Sequence, residues 1–357
     1  MPPLAEPLPT WLLLLAAAGL DRLLGDPQGC YHPVQAMGAL IQGLRRLLEP
    51  LAADRPWALR LAGGLITLVV VGLSGLAGWA VEQWARSDAP GAMALGLPLL
   101  VLGLASVLAG RSLEQAVLAV VRALPDLTQA RARLAWIVGR DVAHLPEADI
   151  LRAAAETAAE NGVDGLLAPL FWLVLGGLSW QLGAMAPGPL ALGWIFKAAS
   201  TLDSMLGYRR GRLRWLGTAG ARLDDLLTWL PTRLVAFSLP LVAGQGRRCA
   251  PLGRLALRQG APDPSPNAGV SMAAFALNGR VRLGGGNHYG GQWRAKPVLA
   301  AGLPAPDQRA VERLLQLAAR LEWLWLVLAL PLLLLPAATQ ATGSGPLAAV
   351  SRMLSAR

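Results

Sequence analysis

Charge is scarce in this chain of 357 residues: Asp, Glu, Lys and Arg make up 15% of it, against 54% hydrophobic residues. A water-soluble domain of this length carries nearer a quarter charged residues, so the shortage points to an integral membrane protein. A mean hydropathy of +0.45 agrees. Cys30 and Cys249 stand far apart, outside any Cys-x-x-Cys or Cys/His group, which argues against a zinc site or a disulfide framework. The histidines, His32, His144 and His288, are equally isolated, so a histidine-based metal site is not expected. Lysine occurs only at Lys197 and Lys296, and the net charge of +10 is carried by arginine. Those arginines are dispersed between apolar segments without a recognised nucleic-acid motif. Nucleic acid therefore drops out as a partner, leaving anionic lipid head groups and phosphorylated small molecules.

What is present is a series of long apolar runs. Met1 to Thr10 has no basic region ahead of the run from Trp11 to Leu20, which reads as a retained helix rather than a cleaved signal. Leu59 to Val81 and Gly91 to Gly110 are each long enough to cross a hydrocarbon core of about 30 Å. Arg45, Arg46, Arg55 and Arg60 precede the first, and Arg111, Arg122, Arg131, Arg133 and Arg140 follow the second. Both flanks are therefore expected on the cytoplasmic side, with a short outer loop near Glu82 to Pro90. From Arg111 to Asn161, apolar residues recur at helical spacing between turn signals at Pro125 and Pro146. Gly165 to Phe196 reads as a hairpin or re-entrant pair, broken at Gly176-Gly177 and at Pro187-Gly188-Pro189. Leu226 to Gly244 is divided by Pro231 and Pro240 and suits the interface better than a span. Arg247 to Arg320 suggests ordered loops with short helices, Glu322 to Leu335 a last apolar helix, and the tail after Ala337 a mobile end.

The fold expected is all-α, a polytopic integral membrane protein with about four to six membrane-associated helices, re-entrant or broken segments and cytoplasmic loops. It reads as one membrane-embedded domain over 1–357. Membrane helices occupy 1–110, a central helical region with acidic motifs 111–245, Gly- and Pro-rich loops 246–320, and the C-terminal helix and tail 321–357.

Carboxylates are few, yet six of them fall between Glu156 and Arg233, beside apolar segments where an unpaired charge is costly. On a helix Glu156, Glu160 and Asp164 fall at i, i+4 and i+8, with Asn161 beside them, and line one face. Three like charges in a row call for a divalent cation or a basic partner, and hard oxygen ligands favour magnesium. The plainer alternative is a solvated face neutralised by arginines. Lys197 and Asp203 flank the next membrane boundary and admit either a phosphate-binding role or a simple ion pair. Asp224 and Asp225 cannot face the same way on a helix, so one is assigned to metal and the other to a structural bond. Gly284-Gly285-Gly286, with Arg280 and Arg282 nearby, allows close approach to a phosphate, although no Walker A or dinucleotide fingerprint is present and a tight turn is the commoner explanation.

Taken in order, these motifs resemble the CobD/CbiB family of cobalamin-biosynthesis membrane proteins. The stretches concerned are Leu24-Gly25-Asp26-Pro27 with His32-Pro33-Val34, Gly139-Arg140-Asp141, Glu156 to Phe171, Lys197 to Tyr208, Asp224-Asp225 with Pro231 and Arg233, Ser265 to Gly269, and Arg282 to Gly285 with Tyr289. The resemblance implies an adenosylcobinamide-phosphate synthase, an ATP-dependent ligase joining a propionate of adenosylcobyric acid, a corrinoid, to aminopropanol phosphate or free aminopropanol. It also implies the bacterial inner membrane, a site facing the cytoplasm, and contact with other cobalamin-assembly enzymes. On that basis Glu156, Glu160, Asn161, Asp164, Lys197, Asp203, Asp224 and Asp225 are assigned to catalysis. Arg140, Asp141, Asn267, Arg282, Gly284 and Gly285 are assigned to the nucleotide, and Glu160, Asp164, Asp203 and Asp224 to Mg2+. The chain departs from the family pattern at Ser200, at Thr228, over Gln259 to Pro264, and at Ser271-Met272, where a Pro-Glu pair is usual. Two other classes stay open at this point: a magnesium-dependent membrane prenyl or phosphoryl transferase, and a non-catalytic corrinoid-binding subunit.

Overall fold

The computed structural model describes residues 9–26, 29, 32–183 and 185–334. The expected mobile tail after Ala337, the residues before Pro9, and Pro27 and Cys30 lie outside them. The described chain is helical apart from two small two-stranded antiparallel pairings. α1 (Thr10–Leu24) is 15 residues long and ends at Gly25. α2 (Pro33–Ala52) starts on a His32 capping box, in which Val34 N–H donates to His32 Nδ1. α3 (Pro56–Ala85) contains the expected first span and extends it at both ends.

The run from Gly91 to Gly110 folds differently from a single straight span. A π-helical turn over Ala92–Gly96 leads into α4 (Leu97–Ala105), and after a break the chain resumes as α5 (Gly110–Arg122), bent by 41° from the first part. Only together are the two long enough to cross a bilayer. Three helical segments qualify on length and apolarity, Pro56–Ala85, Glu147–Leu182 and Gln308–Leu334, or four with the bent pair. The protein is thus a polytopic α-helical membrane protein.

α6 (Leu127–Leu134) is capped by Asp126, whose Oδ1 accepts from Thr128 and Gln129 N–H. α7 (Glu147–Gly162) passes through a second π turn, Val163–Leu167, into α8 (Ala168–Ser179). The expected hairpin is present, since α8 packs against α9 (Pro189–Leu206), but its break lies only at the Pro187–Pro189 end. Gly176 stays helical. A Cβ there would stand 2.5 Å from the Gly188 carbonyl carbon, so this glycine serves the close approach of the two arms rather than a turn. Across the same junction buried Glu82 of α3 accepts N–H bonds from Gly188, Leu190 and Ala191 at 2.9, 2.6 and 2.9 Å. It thereby satisfies the otherwise unpaired donors at the start of α9.

After α10 (Leu213–Leu216), α11 (Thr218–Val242) runs unbroken through Pro231 and Pro240, where the sequence suggested a division. α12 (Cys249–Gly260) and α13 (Ala268–Gly279) pack on it. Short strands β1 (Leu283–Gly284) and β4 (Val298–Leu299) pair with each other, as do β2 (Asn287–Tyr289) and β3 (Gln292–Arg294). α14 (Gln308–Leu334) begins well before Glu322. One apolar cluster joins α1, α4, α5, α7, α8, α13 and α14, and a smaller one joins α2, α3, α9 and α10. Arg22 of α1 donates through Nε to buried Glu322 of α14 at 2.8 Å, tying the first helix to the last.

Candidate functional site

α7 carries Glu156 into the interior because the helix around it is rich in alanine. Ala153, Ala154, Ala155, Ala158 and Ala159 are fully buried, so the helix approaches its neighbours closely and the longer side chains reach past them. Glu156 is 2% exposed. Its Oε2 meets Arg140 Nη2 at 2.6 Å, and its Oε1 accepts from Arg152 Nη1 at 3.2 Å and from Gly284 N–H at 2.9 Å. Both arginines also donate to Asn287 Oδ1, at 2.9 and 3.1 Å. Gly284 adopts φ +78°, and a Cβ there would collide with the Pro297 carbonyl oxygen, so only glycine brings this N–H onto Glu156. The glycine run therefore serves a protein carboxylate; Gly285 N–H donates to the Pro297 carbonyl.

Beside this knot lies a cavity of about 260 Å³. Among the residues assigned from sequence, Arg140, Glu156, Glu160, Asn161 and Gly284 line it. So do Asp263, Lys296, Met272 and Tyr289, which the sequence reading did not assign. Lys296 Nζ stands 3.4 Å from Asp263 Oδ2. Burial works against its charge, but Asp263 and then Glu160 hold the ammonium above the ordinary lysine range. The signal that marks it was visible: it is one of only two lysines in an arginine-rich chain. Glu160 takes no hydrogen bond from any described side chain, and Lys296 is its first cationic neighbour. Met272 is 3% exposed and forms part of the wall.

Asp141 leaves the cavity and accepts from Gly290 and Gly291 N–H at 3.0 and 2.7 Å, gripping the tip of the β2–β3 hairpin. Those two bonds, Gly291 first, hold its carboxyl below the ordinary range. Asn267 is a structural tie: its Oδ1 accepts from Arg233 Nη1 at 2.6 Å and its Nδ2 donates to the Asp225 carbonyl at 2.8 Å, joining α13 to α11. Arg282 is exposed, and its backbone N–H donates to the Pro304 carbonyl.

Asp164, Asp203, Asp224 and Asp225 form a second group. Asp164 sits in the π turn after α7, where the helical register shifts, and its first charged neighbour is Asp224 rather than Glu160. Burial and then Asp203 and Asp225 push Asp224 up to about 7. Burial also raises Asp225, which Arg222 and Arg209 partly offset. No ion pair reaches these four carboxylates from a described residue. Lys197 does not pair with Asp203, six positions away on another face of α9; its charged neighbours are Asp26 and Asp21. Among the described residues no three Asp, Glu, His or Cys side chains are arranged to hold a metal ion. In this conformation Glu160, Asp164, Asp203 and Asp224 do not form a shared magnesium shell.

Comparison with known proteins places this architecture. The family model described as CobD/Cbib protein matches residues 14–318. A cobalamin biosynthesis protein CobD from Synechocystis is 41% identical over 299 residues, covering 83% of this chain and 84% of its own. One of the same name from Chromobacterium violaceum is 39% identical, covering 89% and 95%. The cobalamin biosynthesis protein CbiB of Salmonella typhimurium is 39% identical, covering 88% and 93%. No solved structure matches the chain.

Proposed function

The chain belongs to the CobD/Cbib family, with a role in cobalamin biosynthesis, and on that premise we propose that it forms an amide between a corrinoid carboxylate and a small amino alcohol. The substrates in this reading are adenosylcobyric acid, aminopropanol phosphate or the free amine, and ATP with its magnesium. The observation that carries it is the 260 Å³ cavity, in which the cations of Arg140 and Lys296 share the walls with Glu160, a carboxylate in no ion pair with a described residue.

The chemistry needs two steps. A propionate oxygen attacks the terminal phosphorus of ATP and ADP departs, leaving an acyl phosphate. The amine nitrogen then attacks the acyl carbon, the C–O bond to phosphate breaks, and the amine proton leaves. Arg140 and Lys296 suit the first step because fixed cations stabilise charge on a phosphoryl group in transfer. Glu160 suits the second as proton acceptor. Glu156 is a positioning residue, since its oxygens are consumed in holding Arg140, Arg152 and Gly284. No step is assigned to a protein-held metal.

At about 260 Å³ the cavity is smaller than the ~300–1,000 Å³ that encloses a drug-sized ligand. It takes the reacting arms, and the macrocycle stays outside. The β2–β3 hairpin, whose Tyr289 lines the cavity, presents Trp293, 61% exposed and edge-on to His288 at 4.9 Å, as an apolar surface.

The test is product formation by detergent-solubilised protein from adenosylcobyric acid, aminopropanol phosphate, ATP and magnesium, followed by mass. Lys296→Ala is expected to lower the rate about 100-fold, the scale of removing one charge-stabilising donor, and Glu160→Gln to lower it while leaving corrinoid binding intact. Undiminished product from both variants would remove the cavity from the reaction, and corrinoid binding without product by the native chain would remove the ligase reading.

A further inference from the structure

The N-terminal end of α3 gathers arginine and exposed apolar side chains in one place. α10 packs on that end so closely that a Cβ on Gly63 would overlap the Leu216 carbonyl oxygen. It brings the Trp215 ring to two guanidinium groups, Arg60 at 4.5 Å and Arg214 at 5.0 Å from the ring centroid. The carboxylates of this corner are taken: Glu49 meets Arg45 Nε at 2.6 Å, and Asp54 meets Arg212 Nε at 2.7 Å. Beyond α10, Asp225 has Arg222 and Arg209 as its cationic neighbours. Arg46, Arg55, Arg60, Arg210 and Arg214 are left exposed and in no ion pair with a described residue.

From Trp57 onward, Leu61, Leu65 and Leu68 follow at helical spacing along α3, and all four side chains are exposed. Arg60 stands at the edge of that stripe, three residues on from Trp57. The corner thus offers forked donors that match a phosphate and, directly beside them, an apolar track along a helix long enough to span a bilayer. We propose that it is a binding site for an anionic phospholipid. The headgroup phosphate lies between Arg60 and Arg214, with Arg46 and Arg55 adding to the positive field, and an acyl chain runs along Leu61, Leu65 and Leu68. A zwitterionic headgroup brings its own cation and leaves the guanidinium excess uncompensated, and a water-soluble phosphate gains nothing from the stripe. Arg45, Arg46, Arg55 and Arg60 mark this end of α3 as the one expected on the cytoplasmic side, the leaflet whose anionic lipids attract such clusters. The site shares no residue with the Lys296 cavity and stands whether or not the ligase reading does.

The test uses the full chain in a neutral detergent, with bound lipid followed by native mass spectrometry. Dioleoyl phosphatidylglycerol is expected to bind saturably and more tightly than dioleoyl phosphatidylcholine, and glycerol phosphate at equal concentration is expected not to displace it. Arg60→Gln combined with Arg214→Gln is expected to weaken phosphatidylglycerol binding at least about tenfold. Because those two side chains also cover Trp215, Arg46→Gln combined with Arg55→Gln provides a second variant that leaves the ring covered; it is expected to weaken binding as well. Arg309→Gln combined with Arg320→Gln, at exposed positions of α14, is expected to bind the lipid as the native chain does. Equal binding of the two lipids, displacement by glycerol phosphate, binding unchanged by either pair of substitutions at the corner, or an equal loss from the α14 pair would each overturn the proposal.

Discussion

Two carboxylates on one continuous helical path, Glu156 on α7 and Asp164 in the π turn after it, are treated in opposite ways. Glu156 is enclosed by Arg140, Arg152 and the Gly284 N–H, so its charge is spent inside the fold. Asp164, two turns further on, meets Asp224, Asp203 and Asp225 with no ion pair from a described residue. The same residue type thus serves as an anchor in one place and as stored repulsion in the other. What separates them is the supply of arginine: the loop before α7 and α7 itself deliver two guanidinium groups to Glu156, whereas the arginines near the aspartates, Arg222 and Arg209, act only on the outer one, Asp225.

The largest effect that would sharpen this contrast is expected from Glu156→Ala. It leaves two guanidinium groups facing a buried void, and removing one partner of such a network costs about 3–5 kcal/mol. Thermal melting in detergent should drop sharply, with Glu156→Gln falling between the variant and the native chain. A melting point unchanged by Glu156→Ala would mean that the arginines are not dependent on it.

Asp224→Asn should act in the opposite direction. The folded carboxyl keeps its proton to about pH 7, whereas the ordinary value is 3.8. The folded state therefore binds more protons than the unfolded one between those values, and stability falls as pH rises through that window. Asparagine carries no such penalty, so the variant should gain little at pH 4 and on the order of 2–4 kcal/mol at pH 8. A gain independent of pH would show that repulsion is not its source.

The smallest effect belongs to Asp141→Ala, at the exposed edge of the anchored region. Melting should stay the same, while amide exchange at Gly290 and Gly291 should quicken as the hairpin tip is released. Unchanged exchange at both glycines would show that the turn holds itself.

Much of the fold was legible because bilayer solvation acts on composition. The apolar stretch from Leu59 to Val81 had to be helical, and lies within α3. The run from Gly91 to Gly110 looked equivalent but ends at Ala105, since nothing in its hydropathy marks the bend into α5. Pro231 and Pro240 suggested a division of α11 that did not occur. Glu156, Glu160 and Asn161 were recognisable from spacing as neighbours on one helix, and they line one cavity. The π turn that carries Asp164 away from them leaves no trace in spacing, and the placing of Lys197 near Asp26 and Asp21 rather than Asp203 depends on which helix packs on which face of α9.

By itself, then, the sequence determined that this protein is helical and membrane-embedded, and that its few acidic residues cluster beside apolar segments. These follow from local facts, the cost of unpaired backbone groups in lipid and of charges beside apolar runs. Tertiary structure alone decided which carboxylates are neutralised. It joined Arg140, Glu156 and Gly284 from distant segments, turned Asn267 into a tie between α11 and α13, and brought Asp263 and Lys296 to Glu160. Charge compensation depends on distances of a few ångströms between residues far apart in the chain, and those distances are set by helix packing.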